Sequence, residues 1–320
     1  MANEDRLNFE TPILELEKRI IDLESFAKGE EMDCDEELSL LRRKLEQITK
    51  EIYGTLTPWQ RVQIARHPQR PYTRDYIEEL VEDFVELKGD RRFADDPAMV
   101  CGFGRIEGRT LAIIGHQKGR DIKEKMACYF GCAHPEGYRK ALRVMHLAEK
   151  MKVPIVFLID TPGAFPGIAA EERGQSEAIA FNIMKMTDLK VPTIAIVIGE
   201  GGSGGALGIG LTDVSAVMEN AYYSVISPEG CAAILWKDKE KAPESAEALK
   251  IMPKDLLEMK IIDEVVDEPL GGAHRYPEQA AANLKATLFK SLHICESMPI
   301  DILLERRYEK YRHMGKFKES

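Results

Sequence analysis

The sequence predicts an α/β fold built on a parallel sheet, and three observations carry that expectation. Three short, β-rich and almost wholly apolar runs, Thr110 to Gly115, Val153 to Asp160 and Val191 to Ile198, each lead into a glycine-containing loop. Helical stretches, Tyr138 to Met151 and Ala170 to Met186, alternate with them. The tripeptides Lys152-Val153-Pro154 and Lys190-Val191-Pro192 open the second and third runs, as if one strand-to-helix step recurred. Strands buried on both faces read as continuous apolar runs, and their alternation with helices implies parallel pairing. The loops after neighbouring parallel strands leave the same edge of the sheet, where ligands of such folds bind. That placement brings Gly163 close to Gly204.

The remaining elements follow in order. Residues 12–53 repeat apolar side chains at helical spacing, first Ile13, Leu16, Ile20 and Leu23, then Leu38, Leu41, Leu45, Ile48 and Ile52. The acidic stretch Gly29 to Glu37 joins them into an antiparallel hairpin. Leu56 to Arg74 carries Pro58, Pro68 and Pro71 among Arg61, Arg66, Arg70 and Arg74, and reads as an irregular connector with solvated charges. Asp75 is expected to cap a helix over Tyr76 to Leu87 that stops at Gly89. Tyr222 to Ile226 reads as a further strand, with Ser227 capping a helix begun by Pro228. Pro277 to Ser297 and Ile300 to His313 read as two C-terminal helices that cover either this chain or a partner. The expected organisation is a hairpin and connector over 1–74, a core over 75–275 and helices over 276–320.

Composition excludes several classes. The net charge of −10 gives no global attraction to nucleic acid or to an anionic membrane. The start, Met1 to Arg6, is acidic, and no run reaches the roughly 18 apolar residues of a membrane helix, so the expected location is cytoplasmic. Six scattered cysteines without a C-x-x-C pair argue against a disulfide framework or a zinc ribbon. Cys128, Cys132 and His134 are the one cluster, and without a fourth ligand they are expected to hold no metal.

The candidate site is Gly199-Glu200-Gly201-Gly202-Ser203-Gly204-Gly205-Ala206, between a buried strand and a helix start. Glycines there let the backbone approach a ligand and aim N–H groups at developing negative charge. A G-x-G-x-x-G dinucleotide match places the Glu200 carboxylate beside a pyrophosphate and is weak. A P-loop fails for want of its lysine and hydroxyl, and Asp160-Thr161-Pro162-Gly163 is no GTPase motif without a P-loop upstream. Gly201-x-Ser203-x-Gly205 also matches the serine hydrolase elbow, with Asp263 or Asp267 and then His274 in workable order. The Pro162-Gly163 turn adds a second set of amides opposite the glycine cluster. Two such sets make an oxyanion hole, in which one donor is typically worth about 2.7 to 4 kcal/mol of barrier.

Five segments together carry a family resemblance: Phe84 to Arg92, Gly115 to Arg120, Pro135 to Leu142, Asp160 to Ala164 and Gly199 to Ala206. In this order the chain resembles, over nearly its full length, the carboxyltransferase alpha subunits of bacterial acetyl-coenzyme A carboxylase. The resemblance implies a crotonase-like spiral of ββα units with an N-terminal helical hairpin and C-terminal helices. It implies transfer of a carboxyl group from carboxybiotin, borne on a separate biotin carboxyl carrier protein, to acetyl-CoA to give malonyl-CoA for fatty acid synthesis. The implied partners are a carboxyltransferase beta subunit in an alpha2beta2 assembly, carrying zinc and most of the acetyl-CoA site, and biotin carboxylase. On this reading Gly204 and Gly205 donate backbone N–H groups to the biotin ureido oxygen, with Gly163 and Ala164 as additional donors. Gly201, Gly202, Lys118 and Arg120 are expected to contact substrate. A serine hydrolase using Ser203 and a non-catalytic scaffold remain as alternatives.

Overall fold

A computed structural model of the chain describes residues 7–30 and 34–315; Met1 to Arg6, part of the acidic connection and the end of the expected C-terminal segment lie outside them. Helices α1 (Thr11–Glu30) and α2 (Asp35–Gly54) run antiparallel, with Ile20 buried against Leu38 and Leu41. Then come α3 (Pro58–Ala65), α4 (Thr73–Leu80), β1 (Glu82–Glu86), β2 (Met99–Ile106), β3 (Arg109–His116), α5 (Ile122–Ala127) and α6 (Pro135–Met151). The centre holds β4 (Ile155–Thr161), α7 (Ile168–Glu172), α8 (Gln175–Thr187), β5 (Thr193–Gly202) and α9 (Ser203–Leu207). The chain continues through β6 (Val214–Met218), β7 (Tyr222–Ser224), α10 (Pro228–Leu235), α11 (Ala242–Leu249), α12 (Pro253–Glu258) and β8 (Glu264–Val266). It closes with α13 (Pro277–Glu296) and α14 (Ile300–Arg312).

The sheet order is β1-β2-β3-β4-β5-β6-β8. Pairing from β3 to β8 is parallel, as the apolar runs imply, whereas β1, β2 and β3 pair antiparallel. Strand β5 serves two neighbours. Its first half pairs with β6, and Glu200, Gly201 and Gly202 pair with Tyr222, Tyr223 and Ser224 of β7. The glycine end of β5 thereby leaves the main ladder.

Two expectations on the approach to the sheet are corrected. The connector is not irregular throughout: Thr57 and Gln60 form a capping box and Pro58 opens α3. Arg74 is exposed as expected, beside Glu86, but two of the other arginines are not solvated. Arg70 is wholly buried and paired with Glu268, and Arg66 meets Glu200. Nor does one helix fill Tyr76 to Leu87. Asp75 lies inside α4, its carboxylate accepting from Tyr72 N–H at 2.6 Å, and Glu82 to Glu86 turn into β1. The apolar spacing is helical, but β2 offers a better surface. A Cβ at Gly102 would stand 2.6 Å from the Phe84 ring, and one at Gly104 would strike Val81, so these glycines make room for the edge strand.

Both terminal segments pack on the chain's own core. Glu10 accepts from Tyr53 Oη, and Tyr53 also donates to the Gly271 carbonyl at 2.8 Å, which pins the hairpin. Helix α13 buries Leu284, Leu288 and Leu292. Helix α14 is held by Arg307, whose Nε and Nη2 donate to the two Asp213 carboxylate oxygens at 2.8 and 2.7 Å. Its remaining N–H groups reach the carbonyls of Met186, Leu189 and Val191, just ahead of β5. The planar fork of arginine supplies all five donors in one geometry. Arg307→Ala leaves Asp213 buried without its counter-charge, and we expect a loss of about 3 to 5 kcal/mol of stability in urea titration.

Candidate active site

Strands β4 and β5 end side by side, with Thr161 opposite Gly201. Beyond each lies a turn. In the first, Gly163 N–H donates to Thr161 Oγ1 at 3.1 Å, so of the two expected donors only Ala164 has an N–H that no hydrogen bond among the described residues engages. In the second, Ser203 adopts φ +53°, the left-handed bend that swings β5 into α9. Gly204 and Gly205 follow in the first turn of α9, where an N–H has no partner inside the helix.

The two turns touch backbone to backbone. A Cβ at Gly205 would stand 2.6 Å from Ala164 N and from the Gly163 carbonyl carbon, and one at Gly202 would strike the Pro162 carbonyl. Only glycine permits that approach. Gly204 is different: a Cβ there would meet nothing nearer than Ile179 Cδ1 at 3.8 Å, so this face is open. The loop order placed Gly163 near Gly204; the close contact in the structure is with Gly205, and Gly201 and Gly202 are buried supports behind it.

Beneath the turns sits a buried ionic cluster. Lys118 Nζ lies 2.7 Å from Asp160 Oδ1 and 2.7 Å from Glu200 Oε1. Glu200 Oε2 accepts from Arg66 Nε at 2.7 Å and from Tyr222 Oη at 2.5 Å, and Arg66 continues to Glu229. Burial alone would raise Glu200, yet Lys118 and Arg66 outweigh it and hold the carboxyl at about 2. Burial likewise opposes a charged Lys118, but Asp160 and Glu200 keep it protonated. Lys118 is thus an internal counter-ion, not part of a solvated basic run. Arg120 is also engaged within the chain, on Asp75 and the carbonyls of Pro68 and Arg70, with its guanidinium 4.2 Å over the Tyr72 ring. The residue types gave one usable signal for this cluster: Asp160 and Glu200 each stand at the end of an apolar run.

Among the described residues no base is hydrogen-bonded to the Ser203 hydroxyl. His274 is bound to Glu10 at 3.2 Å and packs 4.4 Å from the His67 ring, under the N-terminal hairpin. Cys128 contacts the Pro97 carbonyl, and the His134 ring stacks 4.1 Å from Phe165, which backs the first turn. Among the described residues no group of three His, Cys, Asp or Glu side chains is set to hold a metal. An apolar cavity of about 480 Å³ adjoins Ser203 and Gly204, lined in part by Leu207, Tyr223, Met259 and Tyr311. A hollow of about 760 Å³ lies at the other end of the strands, where Lys152, Lys185 and Lys190 offset the C-termini of α6 and α8, and it has no part in this site.

His116 closes β3 fully buried, with neither ring nitrogen in a well-formed hydrogen bond among the described residues and the Gly205 backbone beside the ring. Burial, then the nearby Lys118 ammonium, push its pKa down to about 3. The unfolded imidazole, near 6.5, takes up a proton that the native one refuses, so stability contributed above pH 6.5 is lost as pH falls toward 3. Asp96, which burial raises to about 6, tilts stability the opposite way over the same range, so the His116 contribution is read by difference: between pH 6 and 4 the slope of stability against pH should be lower in His116→Gln than in the wild type by about 1.4 kcal/mol per pH unit.

A family model described as acetyl co-enzyme A carboxylase carboxyltransferase-like matches residues 6–315. The chain is 54% identical over 315 residues to a protein of Xanthomonas campestris named acetyl-coenzyme A carboxylase carboxyl transferase subunit alpha, covering 98% of this chain and 99% of that one. A protein of the same name from Thermus thermophilus is 51% identical over 313 residues, with 98% and 99% covered. Among solved structures, transcarboxylase 12S aligns with TM-score 0.58 at 20% identity, over 72% of this chain and 43% of that chain. The geranyl-CoA carboxylase beta subunit of P. aeruginosa aligns with TM-score 0.56 at 20% identity, over 79% and 51%. This chain spans about half of those longer chains or less, and at that identity the likeness is one of fold.

Proposed function

The chain belongs to the family of acetyl-coenzyme A carboxylase carboxyltransferase alpha subunits, a crotonase-like fold, and from that membership we propose that its paired turns are this subunit's half of the carboxyl-transfer site. The reaction passes a carboxyl group from carboxybiotin to acetyl-CoA, giving malonyl-CoA, the committed step of fatty acid synthesis. Biotin arrives on a separate carrier protein, and its ureido oxygen gains negative charge as the carboxyl group leaves.

The observation that carries the assignment is the contact of Gly205 with Gly163 and Ala164, beside N–H groups that the fold leaves unengaged. The fit to biotin follows from the same backbone. Gly204 presents an open face, and a flat ureido ring can lie against it where a side chain would block the approach. The Gly204 and Gly205 N–H groups, joined by Ala164, hold the developing charge without reorganising. Ser203 serves as the left-handed bend that aims them, and Lys118 and Arg120 act through structure instead of touching substrate.

The other half of the site belongs to a beta subunit, which holds acetyl-CoA and zinc, in a cytoplasmic alpha2beta2 assembly served by biotin carboxylase. Exposed apolar side chains are available to such a partner: Ile122 and Met126 on α5, Phe130 just after it, Ile168 on α7, and Val225 and Met259 around the cavity that adjoins Ser203. Among the described residues no helix is long and apolar enough to cross a membrane.

The test is malonyl-CoA decarboxylation coupled to biocytin carboxylation, with the chain alone and after reconstitution with a beta subunit. Activity only in the mixture supports a shared site; a verified complex without activity rejects it. Gly205→Val should lower kcat by about 100-fold or more. Ser203→Ala should keep most activity, and a fluorophosphonate probe should leave Ser203 unlabelled, since labelling requires an activating base. The opposite pattern restores the hydrolase reading.

A further inference from the structure

We propose that Lys118 is a positioning residue for carboxyl transfer: its ammonium ties together the two carboxylates that precede the turns and so sets the gap between the turns. The inference rests on the carboxyl-transfer reading above. Asp160 stands one residue before Thr161-Pro162-Gly163-Ala164, and Glu200 one residue before the glycine segment. Besides the two 2.7 Å contacts of Lys118, the Glu200 N–H donates to Asp160 Oδ1 at 2.8 Å. One ammonium, two carboxylates and one peptide N–H thus close a ring across the ends of β4 and β5.

The sheet does not do this work at that level. Ile159 pairs with Val197, but Thr161 pairs with Gly201, so the register shifts between them and the ladder is interrupted where the ring sits. Two carboxylates on neighbouring strands repel, and burial already raises Asp160, so without the ammonium the pair either takes up a proton or moves apart, and in both cases the tie from Lys118 to the two strand ends is lost. The lysine stem is itself confined. Tyr129, Phe130 and Gly131 all take positive φ, and a Cβ at Gly131 would stand 2.8 Å from Lys118 Cγ and 3.1 Å from the Asp160 carbonyl. Two consecutive non-glycine residues in that region persist only where the surroundings impose it. This left-handed run lies along the lysine that it holds in place.

The rival account is that Lys118 merely neutralises buried charge. The double variant Lys118→Met with Asp160→Asn separates the two, because it removes one charge of each sign and leaves Glu200 paired with Arg66. In the reconstituted complex with a beta subunit, positioning predicts a melting temperature near that of the wild type, KM for malonyl-CoA within about twofold and kcat reduced at least tenfold. Wild-type kcat in that variant overturns the proposal. Should the double variant fail to assemble, Lys118→Ala is assayed with propylammonium and with 1-propanol. A saturable rise in kcat with the amine alone supports positioning, and no response in a folded complex overturns it. Hydrogen exchange in the isolated chain tests the gap without activity: exchange over residues 161–165 and 201–206 should rise in either variant, and unchanged exchange overturns the proposal. An inactive wild-type complex counts against the carboxyl-transfer reading, while the exchange result still decides the role of Lys118.

Discussion

The ends of β4 and β5 are held by charge where the hydrogen-bonded ladder gives out, and the geometry of the paired turns depends on that substitution. Lys118 bridges Asp160 and Glu200 in a space with almost no water, so each contact acts in a low-dielectric setting and each missing partner would leave a bare buried charge. A buried ion pair is weak evidence for stability, since an apolar replacement often serves as well. Its value here is geometric. Charges at fixed positions on two strands define a distance, and the turns that follow inherit it.

The same device recurs around the core. Arg66 couples Glu200 to Glu229 at the start of α10, Arg70 reaches both Glu268 and the Ile198 carbonyl, and Arg307 binds Asp213 and three carbonyls ahead of β5. Each joins a segment outside the sheet to the loops at one end or the other of β5. The chain is acidic overall, yet these arginines sit inside it or at its seams, where their forked donors close backbone and carboxylate groups that burial would otherwise strand. Net charge therefore said something about external partners and nothing about the role of individual cations.

The glycines divide by task in a way residue type alone does not reveal. Gly202 and Gly205 are required because another backbone occupies the space of a Cβ, whereas Gly204 faces open space. Gly102 and Gly104 answer to packing alone, making room for Phe84 and Val81 on the edge strand. Ser203 shows the converse, a side chain tolerated in the left-handed region at a cost of about 1 to 3 kcal/mol because the strand before it and the helix after it fix the bend.

The sequence by itself determined the parallel centre of the sheet, the helical hairpin, the C-terminal helices, the pairing of the Pro162-Gly163 turn with the glycine loop, and the family. These are legible because they rest on local periodicity and on loops that must leave neighbouring parallel strands at one edge. Only the tertiary structure decided that Tyr76 to Leu87 divides into α4 and β1, that Arg66, Arg70 and Lys118 lie inside, and that the Gly163 N–H is closed on Thr161 while Ala164 remains. The reason is common to all three. An edge strand, a buried cation and a turn amide are each settled by partners 16 to more than 190 residues away or by the close fit of a single bend, as Arg70 with Glu268 and Lys118 with Glu200 show, and local sequence carries no record of such contacts.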